Sequence, residues 1–234
     1  STIVYQNNSY SALTPDCLRY IYNVKDYKPD VKSGSKIAFS SFLNESASFS
    51  DLFAYEEHFG IPPQKKSLAP GHLTMCPPLT LFSSFSVVLV NPEDGATDLP
   101  QPPSDADDGE ANLDVQNIVA IAHPLPITEY ILLAAREYLQ KADAQTADIE
   151  SCSPYIPDPV EPAGTTNENE PYLPYYEYLL SQPNHKLPQV ITNSYGDDEQ
   201  TVPEKYAIRV CNLIGILGMR GVSVLESSGD TGVG

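Results

Sequence analysis

The stretch Gly109–Gln116 reads GEANLDVQ and runs into the apolar segment Ile118–Ala122. Glu110 and Asp114 are four residues apart, and on a helix such residues stack on one face about one turn apart. Leu113, Ile118 and Ile121 are then expected to bury another face. Two carboxylates held so close repel when both are ionised, so one of them should keep its proton to higher pH. A pair of that kind can perform acid–base work in acid. The same spacing also fits an exposed helix with two solvated acids at its N-terminus, where the macrodipole favours them. The spacing alone leaves both readings open.

Working outward, helices and strands alternate. Thr14 is placed as an N-cap, with Pro15 opening a helix over Thr14–Val24. Lys36–Phe42 (KIAFSSF) and Ser84–Val90 (SFSVVLV) read as short buried strands, and Ser50–Phe59 reads as a helix stopped by Gly60. Residues 61–80 and 91–109 are rich in Pro and polar side chains and read as loop. Ile127–Ala135 fits strand or helix equally, and 136–169 reads as a surface excursion. Pro171–Gln182 reads as a helix, Leu187–Tyr195 as a strand, Pro203–Met219 as a long helix and Gly221–Glu226 as a strand. Strands that are continuous apolar runs between helices predict an α/β fold, a parallel sheet covered on both faces. Ligands in such folds sit beyond the carboxyl ends of the strands, which singles out Ser194-Tyr195-Gly196 and Ser228-Gly229-Asp230.

Composition narrows the function classes. The 234 residues carry a formal net charge of −18, so no basic surplus exists for nucleic acid or an anionic membrane surface. Protonation in acid would relieve the self-repulsion. No apolar run reaches the ~18 residues that span a bilayer. The four cysteines, Cys17, Cys76, Cys152 and Cys211, form no C-x-x-C pair, which argues against zinc and allows two disulfides. Sequons at Asn7 and Asn44 are candidate N-glycan sites. Together with an opening Ser1 in place of Met, these features favour a secreted compartment, with lysosome or vacuole as the alternative.

Three segments, GEANLDVQ, SYGDDE and SSGDTG, occur in this order at wide spacing, and together they resemble the sedolisins, the serine-carboxyl peptidases, most of all their tripeptidyl-peptidase branch. LTPDCLRYIYNV, NEPYLPYYEYLLSQ and LPQVITNSYGDDE extend the resemblance along nearly the whole chain in patches. It implies a subtilisin-like parallel sheet flanked by helices on both faces. It implies that Glu110 is the general base, that Asp114 orients it, and that Asp230 stands where subtilisin uses an oxyanion-hole Asn. Ser194, Tyr195 and Gly196 resemble the segment that pairs with a substrate backbone. The chemistry is coherent, because a Glu base remains effective at a pH where His is fully charged, and a protonated Asp can donate to an oxyanion.

The chain also departs from the family pattern. The family's nucleophile lies in a G-T-S-x-S motif far downstream, and no such motif occurs here. Residues 1–234 are therefore expected to be the N-terminal part of one peptidase catalytic domain. The nucleophilic Ser and the calcium ligands are expected on a C-terminal chain of the same precursor. Peptide or protein substrates follow, released as tripeptides from free N-termini; endopeptidase action and a non-catalytic truncated chain are the rivals. Where relatives read F-L-E-Q this chain reads Phe42-Leu43-Asn44-Glu45, so a supporting glutamate is either shifted or absent, and a glycan on Asn44 would keep Glu45 away from the site. The expected disulfides are Cys17–Cys76 and Cys152–Cys211, the second pinning the long excursion to a core-facing helix. His123 reads as a helix end, His58, His72 and His185 form no metal spacing, and Asp197-Asp198-Glu199 reads as a solvated loop, with a site for a cation or a substrate's N-terminal ammonium as the alternative. Tyr195 is expected to line a groove.

Overall fold

A computed structural model describes residues 2–5, 8–11, 13–42, 45–67, 84–90, 109–132, 170–196, 202 and 204–230. In chain order the elements are β1 (Thr2–Tyr5), β2 (Asn8–Ser11), α1 (Pro15–Ile21), β3 (Ile37–Ser41), α2 (Phe49–Phe59), β4 (Lys65–Ser67), β5 (Ser84–Leu89), α3 (Gly109–Ala122), β6 (Ile127–Ile131), α4 (Tyr172–Ser181), β7 (Val190–Asn193), α5 (Glu204–Met219) and β8 (Ser223–Glu226). β1 and β2 form an antiparallel pair of their own. The other six strands make one sheet in the order β4-β5-β6-β3-β7-β8, parallel throughout.

Local sequence explains the element ends. The Thr14 side chain accepts from the Cys17 N–H at the start of α1, and Pro15 follows it where a missing donor costs nothing. Ser48 caps α2, which stops at Gly60 with a φ of 67°, a left-handed turn that glycine adopts without a Cβ penalty. Ile127–Ala135 resolves as strand over Ile127–Ile131, because β6 pairs on both sides, with β3 and with β5.

Strand alternation sends successive side chains to opposite faces, and each face has its own cover. On one face Phe39, Phe85 and Ile127 pack with Leu52 of α2 and Val115 and Val119 of α3. On the other, Ala38, Phe42, Tyr130 and Ile191 pack with Tyr175, Tyr176 and Leu179 of α4 and Leu217 of α5. Phe39 is fully buried, and truncating it to Ala would cost about 3–5 kcal/mol. The parallel sheet covered on both faces is thus the fold that the alternation predicts.

One expectation for α3 is corrected. Its buried residues are Ala111, Val115, Val119, Ala120 and Ala122, whereas Leu113 is 54% exposed. Small and β-branched residues at i, i+4 and i+8 let the helix sit close on the sheet, and that turns Leu113 outward. Among the described residues no helix is long and apolar enough to cross a membrane.

Candidate active site

The sheet order sets the site. From β3 the chain leaves toward β4 on one side, while β7 and β8 lie on the other side of β3. Connections diverge at the carboxyl ends of β3 and β7, and a crevice at such a point is where doubly wound sheets bind ligands. Glu45 follows β3 there, Ser194–Gly196 follows β7, and the N-terminus of α3 enters beside them.

Asp114 is held from β7: the Ser194 hydroxyl donates to its Oδ1 at 2.7 Å. Its Oδ2 is buried with no hydrogen-bond partner among the described residues. Burial pushes the Asp114 carboxyl up to about 7, Glu110 and Glu45 add repulsion in the same direction, and the Ser194 bond pulls partly back. Asp114 thus keeps its proton well above the ordinary carboxylate range. Glu110 sits half-buried one turn earlier on the same helix.

Glu45 is the residue that the sequence reading left undecided between shifted and absent. Its carboxylate lies close enough to Asp114 to repel it. Its Oε2 accepts from the Ala111 N–H at 3.0 Å and from the Tyr195 hydroxyl at 3.0 Å. The first bond satisfies one of the orphan donors in the opening turn of α3, and an anion there is favoured by the helix dipole. Asn112 adds a second tie at this end, accepting from the Ser48 N–H at 2.8 Å. At the other end Arg19 caps α3, donating to the carbonyls of Ala120 at 2.8 Å and Ile121 at 3.2 Å. The helix that carries both acids is fastened at both ends by residues far away in sequence.

Tyr195 turns inward instead of lining a groove. The residue is 6% exposed, its ring packs on Phe42 with ring centroids 5.1 Å apart, and its carbonyl accepts from the Tyr172 hydroxyl. The aromatic packing around Phe42 explains the inward turn, since Tyr172 and Tyr175 meet the same ring edge-on. Gly196, next to it, is exposed. Asp230 is exposed in the turn after β8, beside Gly229 with its φ of 87°.

His123 closes α3, its N–H donating to the Val119 carbonyl at 3.1 Å, and burial lowers its pKa. Among the described residues no group of three or more His, Cys, Asp or Glu side chains could hold a metal ion. Cys17 is half-buried and Cys211 is exposed on α5; their expected partners Cys76 and Cys152 lie outside the described residues, as do Asn7, Asn44 and Asp197-Asp198-Glu199. The sequence reading missed Tyr172, Asn193 and Glu226, which stand behind the site. Their common signal is a polar residue at an element end: Asn193 and Glu226 each close an apolar strand.

The six-stranded parallel sheet, with a Glu and a half-buried Asp one turn apart on a helix at its carboxyl edge, makes this an α/β protein with a paired-acid candidate site. Comparison with known proteins then supplies the family. No family model matches the chain. It is 52% identical to tripeptidyl-peptidase sed4 of Aspergillus fumigatus over 222 residues, which is 95% of this chain and 31% of that relative. It is 34% identical to the probable tripeptidyl-peptidase SED2 of Arthroderma benhamiae over 224 residues. A probable tripeptidyl-peptidase SED3 of Trichophyton verrucosum is also 34% identical, over 97% of this chain and 32% of the relative. The chain belongs to the sedolisin family, and it spans about a third of the length of these relatives.

Proposed function

We propose that this chain carries the acid–base part of an acid-acting serine-carboxyl peptidase, as the N-terminal part of its catalytic domain. The nucleophilic Ser comes from outside these 234 residues, which contain no G-T-S-x-S motif. Glu110 takes the Ser proton as the hydroxyl oxygen attacks the peptide carbonyl, then returns it to the leaving amine. Water releases the acyl group by the same relay in reverse. Asp114, protonated in acid, holds the site without adding a second charge beside Glu110. Asp230, in the turn after β8, stands where the resemblance places the oxyanion donor. The names of the relatives support release of tripeptides from free N-termini. Calcium with ligands outside this chain enters through the resemblance alone, whereas a secreted or lysosome-like location rests on the sequons and the acidic composition.

The observation that carries this reading is the pairing on α3: a half-buried Asp114 with its carboxyl pushed up to about 7, one turn from a Glu110 that adds to the push. The test is Glu110→Gln in the full-length enzyme, assayed in acid on peptides with free and with blocked N-termini. Loss of turnover with peptide binding retained is expected. Near-normal hydrolysis would end the assignment, and equal cleavage of blocked peptides would replace tripeptide release by endopeptidase action.

A further inference from the structure

We infer that Glu226 is a positioning residue, which fixes the Ser227–Asp230 turn against the Ser194–Gly196 segment. The inference rests on the reading of Asp230 as an oxyanion donor. β7 and β8 stay paired as far as Asn193 and Glu226, and the Ser227 N–H still donates to the Asn193 carbonyl at 2.9 Å. Beyond that bond the two chains part, one leading to Ser194 and the other to Gly229 and Asp230. Glu226 stands at the parting point.

Its carboxylate gathers three donors from two elements. Oε1 accepts from Asn193 Nδ2 at 2.7 Å and from the Tyr176 hydroxyl at 2.7 Å. Oε2 accepts from the Tyr172 hydroxyl at 3.1 Å. The single hydrogen of that Tyr172 hydroxyl is shared with the Tyr195 carbonyl, which also accepts from it. Asn193, 2% exposed, is itself fully engaged: its Nδ2 also donates to the Tyr176 oxygen at 2.9 Å, and its Oδ1 accepts from the Ser40 hydroxyl at 2.9 Å. One carboxylate therefore ties the end of β8 to the backbone of Tyr195 and, through Tyr195 and Glu45, to the first turn of α3. Hydrogen-bond networks of this kind fix one arrangement, because a buried donor left without a partner is costly. An oxyanion donor is effective only within a few tenths of an ångström of its place, so an anchor at the root of its turn controls turnover without touching substrate.

The test uses the full-length enzyme and steady-state kinetics in acid. Glu226→Ala should lower kcat by ~10- to 100-fold with KM changed less than about threefold. Glu226→Gln should retain most activity: its amide oxygen still accepts from Asn193 and Tyr176, and its NH2 can donate to the Tyr172 oxygen. In an Asp230→Ala background Glu226→Ala should cost less than about twofold, because the residue that it positions is already gone. Equal losses in both backgrounds would overturn the inference. If Glu226→Ala does not fold, Tyr172→Phe carries the same cycle at ~3- to 10-fold, and additivity there overturns it equally. Glu110→Gln separates the two proposals. If it is inactive while the cycle is additive, only the positioning role fails; if it is active, the peptidase reading fails.

Discussion

The Ser194 hydroxyl and the Asp114 carboxylate meet at 2.7 Å across 80 positions of sequence, which ties the end of β7 to the helix carrying the paired acids. Ser194→Ala removes the contact that pulls the Asp114 carboxyl down, so its pKa should rise above about 7. The lost bond matters more when Asp114 is charged. The expected destabilisation is about 1 kcal/mol at pH 4 and about 2–3 kcal/mol at pH 8. Urea unfolding of the full-length enzyme at the two pH values checks this, and equal losses would count against it.

Asp114 should make the enzyme less stable as pH rises. Its folded pKa is raised from 3.8 to about 7, so the native state holds a proton that the unfolded chain has already released in between. Stability then falls from about pH 4 to about pH 7 and levels off above, by on the order of 2–4 kcal/mol. Asp114→Asn should flatten this slope and melt higher than wild type at pH 7, while turning over more slowly. A variant with the wild-type slope would show that other groups set it.

Glu45→Gln keeps an acceptor for the Ala111 N–H and the Tyr195 hydroxyl but removes one of the charges that raise the Asp114 pKa. The Asp114 titration should move toward lower pH, read as a shift of the stability–pH midpoint. An unmoved midpoint would leave burial and Glu110 as the causes of the raised pKa.

Arg19→Ala should weaken α3 from its far end. Loss of the bonds to the Ala120 and Ile121 carbonyls is expected to cost about 1–2 kcal/mol of stability. The ratio of kcat/KM to wild type should change less than about twofold at temperatures where both are folded. A large kinetic loss without a stability loss would contradict the assignment.

Apolar side chains stand exposed on α5 and β8: Ile208 at 53%, Met219 at 82% and Leu225 at 55%. The 234-residue chain made on its own should self-associate through this face, and Leu225→Lys should reduce that association. Sedimentation velocity over a tenfold concentration range reads the effect; a monomeric wild-type chain would refute it.

Much of this was legible in the residues. The strands at Ile37–Ser41 and Ser84–Leu89 announce themselves as short apolar runs between turn signals, and α1 and α2 by their caps. β4 did not, because Lys65–Ser67 is three polar residues whose strand character comes only from pairing with β5. The pairing of β1 with β2 was missed likewise. Glu110 and Asp114 were readable because four-residue spacing within one helix is local. Glu45 and Glu226 were not, since their partners come from other elements: Tyr195 is 150 positions from the first, and Tyr176 is 50 from the second. Tyr195 was misplaced for a related reason. Position at a strand end says where its backbone goes, and the ring follows the aromatic neighbours that packing brings.

The central place of β3 shapes how the protein can be made. Ser41 of β3 meets Glu129 of β6 across 88 positions, and Ser40 meets Asn193 of β7 across 153. The first strand of the large sheet to be synthesised is therefore the one whose neighbours come late. At ordinary synthesis rates of about 5–20 residues per second, β3 waits roughly 8–30 s for its β7 partner. Until β6 follows, Phe39 has no sheet to enter, and Phe42 waits longer still for Tyr175 and Ile191. A nascent chain in that condition offers an apolar strand with both edges open, a natural substrate for holding chaperones.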